Sequence, residues 1–127
     1  MQLGTFRIEN PIVLAPMAGV TDWAYRCIAA SLGADITVTE MVSSRALVYK
    51  DKKSLSLLRK TDAGICGAQI FGNDPSVMAE GAALALEHSG ACLLYTSRDS
   101  GKAESPAWNG AKTPNQLSWL GVLSFGC

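Results

Sequence analysis

The segment Ala15-Pro16-Met17-Ala18-Gly19-Val20-Thr21-Asp22 has the residue types of a loop suited to lie against a flat ligand. Pro16 fixes the backbone, Ala18 and Gly19 leave room beside it, and main-chain groups with the polarisable Met17 thioether can meet the edge of an aromatic ring. An ordinary small-residue turn between a strand and a helix accounts for the same residues. The segment follows the apolar run Pro11-Ile12-Val13-Leu14-Ala15. That puts it at the C-terminal end of a strand, the side on which parallel α/β folds place their sites. Other candidates for chemistry are few. His88, the one histidine, stands where a helix is expected to end and complements the helix dipole there. Cys27, Cys66, Cys92 and Cys127 lack the paired spacing of a zinc site or a secreted disulfide framework. Reduced thiols and no metal site are expected, with Cys27 and Cys66 in the core.

The elements that must position the loop follow from periodicity and punctuation. Pro11 to Ala15, closed by Pro16, reads as a strand buried on both faces. Thr21-Asp22 can cap a helix in which Trp23, Cys27 and Ala30, flanked by Ala24, Ile28 and Leu32, recur at helical spacing up to Gly33. Ala34 to Thr39 reads as a second strand rich in β-branched residues, and residues 50–60 as a short surface helix. Gly67 to Gly72 is a third strand, after which Asp74 and Pro75 supply an N-cap and a first helical residue. Val77, Met78, Gly81, Ala82, Leu84, Ala85 and Leu86 form the apolar side of the helix that follows, which ends near His88 and Gly90. Leu32-Gly33-Ala34-Asp35 and Ser89-Gly90-Ala91-Cys92 are similar stops, each leading into a strand, as in a repeated βα unit. Three such units and the start of a fourth, at Leu93-Leu94-Tyr95, are expected. Residues 96–116 lose all period, and Leu117 to Phe125 fits neither template.

Composition narrows the classes. Of 127 residues, 48% are hydrophobic and 17% charged, the balance of a globular domain rather than a disordered or fibrous chain. The 11 basic and 11 acidic residues cancel, so any basic surface has to be local. No apolar run approaches the roughly 18 residues that span a bilayer. Met1 to Arg7 lacks the layout of a secretory signal, and a cytoplasmic location without a membrane partner is expected.

The loop at residues 15–22 resembles the opening signature of the tRNA-dihydrouridine synthases. Thr39-Glu40-Met41-Val42-Ser43-Ser44 resembles that family's segment after the second strand, and Ala68-Gln69-Ile70-Phe71-Gly72-Asn73-Asp74-Pro75 its segment before the third helix. The three agree in order and spacing, and the resemblance covers about residues 3–91. It implies an α/β fold, the N-terminal portion of a TIM (β/α)₈ barrel. It also implies FMN as cofactor, NADPH as reductant, tRNA as partner, and reduction of uridine to 5,6-dihydrouridine. By that resemblance Pro16, Met17 and Ala18 would line the FMN ring, and Gln69 would hydrogen-bond its polar edge through an amide that both donates and accepts. Glu40 and Arg45 would face the substrate; a solvated or capping acid describes Glu40 equally well. Arg45, Lys50, Lys52, Lys53, Arg59 and Lys60 gather positive charge as a tRNA-backbone contact would, although a solvated helix face is the simpler reading.

The resemblance stops at about residue 91. The family's Asn-x-Gly-Cys-Pro loop, whose cysteine is the general acid, has no counterpart: Cys92 has neither Gly before it nor Pro after it, and no residue follows Cys127. The family's later lysine, histidine and glycine-rich phosphate-binding segments have none either. No catalytic residue is therefore assigned. The chain is divided into residues 1–91, part of an FMN-binding barrel, and residues 92–127, a non-homologous, irregular tail. A full barrel takes about 250 residues, and the chain alone is expected to be inactive. The alternatives are another FMN-dependent barrel reductase of small pyrimidines or enoates, and a non-catalytic truncated remnant.

Overall fold

Strands β1 (Gln2–Leu3) and β2 (Phe6–Arg7) pair antiparallel ahead of the main sheet. The computed structural model describes residues 2–3, 6–9, 11–98 and 120–124. Strand β3 (Val13–Leu14) is shorter than its apolar run, because Pro11 and Pro16 cannot donate to a ladder. Asp35 fastens its start: the Asp35 and Ile36 N–H groups donate to the Ile12 carbonyl at 2.9 and 3.2 Å, and the Ile12 N–H donates to Asp35 Oδ2 at 3.0 Å. Helix α1 (Trp23–Ser31) is capped by Asp22, whose carboxylate accepts from the Tyr25 N–H. Its buried side differs from the apolar pattern. Ile28 and Leu32 are 60% and 81% exposed, while Arg26 is 1% exposed.

Strand β4 (Ile36–Ser43) runs four residues past the stretch expected from β-branching and carries Glu40 and Met41 within it. Helix α2 (Ser44–Val48), which has no sequence signal, follows directly. Helix α3 (Lys52–Leu57) falls within the expected 50–60 segment, capped by Asp51. Strand β5 (Ile65–Gly72) leads to helix α4 (Pro75–Ser89), which has Asp74 as N-cap, Pro75 in its first turn and left-handed Gly90 (φ 56°) as C-cap. Strand β6 (Leu93–Arg98) then joins the sheet beside β5, and β7 (Leu120–Ser124) pairs with β6.

The sheet order is β3-β4-β5-β6-β7, with the first four strands parallel and β7 antiparallel to β6. Strand β6 begins at Leu93, where the start of a fourth unit was expected, and β7 adds a regular element to the 92–127 segment read as an irregular tail. The apolar Leu93-Leu94 pair is buried on both faces, the parallel-strand signature. Residues 99–119 of the expected tail, and Cys127, lie outside the described residues.

The two faces hold different cores. Val42, Ala68, Ile70 and Leu94 pack under the helices with Leu47 of α2, Leu58 and Ala85 of α4. Ile36, Val38 and Leu93 pack on the opposite face with Ile8, Ile65 and Tyr95. Helix α2 reaches α4 at Gly81, where an added Cβ would lie 2.8 Å from Ser44 Cβ and 2.9 Å from its Cα. Cys27 and Cys66 are free thiols. Cys92 is disulfide-bonded, which overturns the expectation of four reduced cysteines; sequence spacing does not register pairs that only tertiary structure brings together.

Candidate functional site

The C-terminal ends of β3, β4, β5 and β6 are joined in one row. A β-bulge interrupts the β4–β5 pairing between Val38 and Met41, so Thr39 and Glu40 together occupy one step of the ladder. The Thr39 hydroxyl takes over the interrupted ladder bond. It accepts the Gln69 N–H at 3.1 Å and donates to the Glu40 carbonyl at 3.0 Å, and Thr39 is fully buried. Beyond the bulge Met41 pairs with Gln69, and Gln69 with Tyr95. Register partners in a parallel sheet share a face, so these three stand on the face of the Ile36–Val38–Leu93 core, away from α4. Gln69 is half-buried, and its side-chain amide makes no hydrogen bond to another described residue.

The loop after β3 closes on itself through Thr21. The Met17 N–H donates to Thr21 Oγ1 at 2.8 Å, and that hydroxyl donates to the Met17 carbonyl at 3.1 Å. The Val20 and Thr21 N–H groups converge on the same carbonyl, each at 3.0 Å. Met17 is left 41% exposed beside the loop backbone. Glu40 reaches across from the bulge and accepts the Gly19 N–H at 2.7 Å. From the helix side, buried Arg26 donates to the Thr21 carbonyl at 3.2 Å, to the Leu57 and Arg59 carbonyls at 3.3 and 2.8 Å, and to Cys66 Sγ at 3.7 Å.

The next pair on the same face, Ser43 and Phe71, lines a cavity of about 210 Å³ with Arg45, Asn73 and Asp74. Arg45 is exposed at its rim. The Asp74 carboxyl is held below the usual carboxylate range, first by the Ser76 hydroxyl, then by the Val77 and Ser76 N–H groups, with a smaller contribution from the charge of Arg45. Asp51 is lowered similarly by the hydroxyl and N–H of Ser54. Among the other cations of the basic segment, Lys50, Lys52, Lys53 and Lys60 are exposed. Arg59 instead stacks over the Trp23 ring, 3.5 Å from its centroid, and the Trp23 indole donates to the Lys60 carbonyl at 3.0 Å. His88 is exposed in the last turn of α4.

Of the residues singled out by sequence, Pro16, Met17, Ala18 and Glu40 meet at the β3 and β4 ends, Gln69 stands one strand further on, and Arg45 is at the cavity rim. Thr21, Thr39 and Arg26, which fix this arrangement, were not anticipated. In sequence Thr21 carries only the signal of a cap, and no local pattern marks a buried arginine or a bulge. Among the described residues no group of three or more His, Cys, Asp or Glu is placed to hold a metal, and no helix is long and apolar enough to cross a membrane.

A parallel α/β sheet with a row of ligand-side groups at its carboxyl ends is the frame of many cofactor enzymes, and comparison with known proteins narrows it. The family model for dihydrouridine synthase (Dus) matches residues 13–96. The chain belongs to the dihydrouridine synthase family. Its parallel sheet is consistent with part of the TIM barrel that the family implies. The tRNA-dihydrouridine synthase B of Escherichia coli (strain K12) is 39% identical over 95 residues, 74% of this chain and 29% of the relative. That of Pasteurella multocida (strain Pm70) is 42% identical over 89 residues, 69% of this chain and 27% of the relative. The chain thus spans less than a third of the length of these curated relatives. No solved structure gives a significant match.

Proposed function

We propose that this chain forms the flavin-edge wall of an FMN-dependent tRNA-dihydrouridine synthase. FMN, when bound, would supply hydride to one carbon of the C5=C6 bond of a uridine in tRNA, a general acid from the rest of the enzyme would supply the proton to the other, and NADPH would reduce the flavin again. The observation that carries this reading is the uncommitted Gln69 amide in the Met41–Gln69–Tyr95 row, beside a loop whose shape Thr21 and Glu40 fix. A half-buried amide with no partner among the described residues fits a group whose polar edge both donates and accepts. Pro16, Met17 and Ala18 offer the ring backbone, a thioether and little bulk. Arg45, exposed at the cavity rim, would hold a substrate phosphate in this reading. A tRNA substrate assigns the work to the cytoplasm. No described residue takes the general-acid role in this reading, and the 127-residue polypeptide is inactive alone.

The test grafts residues 1–96 onto the remainder of the Escherichia coli relative. The graft should form dihydrouridine in tRNA with NADPH, measured by mass spectrometry of digested tRNA. Gln69→Ala in that graft should weaken FMN binding by about 1 kcal/mol, roughly fivefold, read by flavin fluorescence. A graft that holds FMN and oxidises NADPH, yet reduces only a free small alkene, would replace the synthase reading with that of a general FMN reductase.

A further inference from the structure

We propose that Glu40 is a positioning residue: the Thr39–Glu40 bulge exists to deliver its carboxylate to the Gly19 N–H, and that bond holds the Pro16–Gly19 loop in its ligand-ready shape. The inference rests on the flavin reading for what the loop contacts, but not for the bond itself.

Geometry supports it from both ends. In a regular strand alternate side chains leave opposite faces, and a single extra residue re-aims its side chain. Here the extra residue falls between Val38 and Met41. Val38 and Met41 both remain on the ligand-side face, and Glu40 is freed to point along the sheet toward β3. Opening a ladder ordinarily leaves an unpaired N–H; the buried Thr39 hydroxyl takes the Gln69 N–H instead, so that donor keeps a partner across the bulge.

At the other end, Gly19 has φ +75°, and a Cβ built there would meet nothing within 4 Å. The glycine is therefore required by backbone conformation rather than by crowding. Its N–H points out of the Thr21-closed turn, whose other inward amides, Met17, Val20 and Thr21, are satisfied within the turn itself. The contact of 2.7 Å is in the range of a charge-assisted N–H···carboxylate bond. Glu40 thereby couples the loop to the strand that carries Met41 and, through the Thr39 hydroxyl, to the backbone of Gln69. Ring-lining loop and ring-edge amide are set by one pair of adjacent residues. A carboxylate oxygen committed in this way orients the wall of the site.

The test is amide hydrogen exchange on the ¹⁵N-labelled 127-residue chain without ligand, followed by FMN titration. In Glu40→Ala the Gly19 amide should exchange faster, on the order of tenfold, the factor such a bond is worth. The Val20 and Thr21 amides, bonded within the turn, should move less. Glu40→Gln, whose amide oxygen can still accept, should restore Gly19 protection. FMN binding, where present, should fall in the alanine variant and recover in the glutamine variant. Equal Gly19 exchange in wild type and Glu40→Ala would overturn the proposal. So would Glu40→Gln behaving like Glu40→Ala; should the alanine variant be too unstable to study, Glu40→Asp, one methylene shorter, takes its place, and unchanged Gly19 exchange there would equally overturn the proposal. If Gly19 protection depends on Glu40 but the wild-type chain and the graft both fail to bind FMN, the bond stands and the flavin reading fails.

Discussion

Replacing Gly81 by Ala sets two opposing effects against each other, and the structure says which wins. In an isolated helix Gly→Ala stabilises by about 1 kcal/mol. At position 81 the new Cβ would meet Ser44 Cβ at 2.8 Å, Cα at 2.9 Å and the carbonyl oxygen at 3.1 Å, against an ordinary carbon–carbon contact of about 3.5–4.0 Å. The closest of these atoms belong to or adjoin the backbone of the first residue of α2, so no side-chain rotation relieves them. Overpacking of this kind costs about 1–3 kcal/mol, and fixed neighbours put the cost at the upper end. The net expectation is a loss of about 1–2 kcal/mol despite the better helix former. Urea unfolding followed by far-UV circular dichroism should register a midpoint lowered by about 1 M. Adding Ser44→Gly removes the contact at 2.8 Å but keeps that at 2.9 Å, so the double variant should recover only part of the loss. A Gly81→Ala midpoint above wild type would refute the close approach of α2 and α4, and with it the placement of Arg45 beside Asn73 and Asp74.

Arg26→Met keeps much of the stem but leaves the Thr21, Leu57 and Arg59 carbonyls without their donor; a loss of about 3 kcal/mol is expected in the same urea assay. Asp74→Ala should destabilise α4 at neutral pH. Because hydrogen bonds lower the folded-state pKa of Asp74, its contribution is present above the unfolded value near 3.9 and fades as pH falls through the folded one. The gap between wild type and Asp74→Ala should therefore narrow between about pH 5 and pH 2, and a constant gap would argue against the cap. In the grafted enzyme, neutralising Lys50, Lys52 and Lys53 together should leave FMN binding unchanged and flatten the salt dependence of tRNA binding; an unaltered salt slope would make them a solvated face.

Where structure follows from nearest-neighbour chemistry, the sequence was readable. Asp74-Pro75 opening α4 and Gly90 closing it are local events, each settled within a turn of helix. The strands at residues 36–39 and 67–72 were legible, the first from its β-branched run and the second from its place ahead of Asp74-Pro75, although β5 begins two residues earlier. What escaped depends on distant partners. Arg26 has the look of a solvent-facing charge in α1, and only the carbonyls of residues 57 and 59, brought close by the turn after α3, make burial tolerable. Ile28 and Leu32 fit an apolar repeat yet face outward. The bulge at Thr39–Glu40 is set by the hydroxyl that mends it, so β-propensity ended the strand too early. For the site, residue identities at 16–18, 40 and 69 were legible through resemblance; that Glu40 grips Gly19 was not, since a carboxylate in sequence carries no direction.

The strand that β6 receives on its outer side changes how this sheet can propagate. Leu93 to Ser97 are matched against Ser124 to Leu120 in reverse direction, so the evenly slanted ladder of the parallel strands gives way there to alternating narrow and wide bond pairs. A newcomer beyond β7 would meet a border of opposite polarity. At the far side lies β3, two residues long, with Val13 49% exposed. Parallel pairing onto the β3–β6 strands is thus open only beside β3 unless β7 leaves β6.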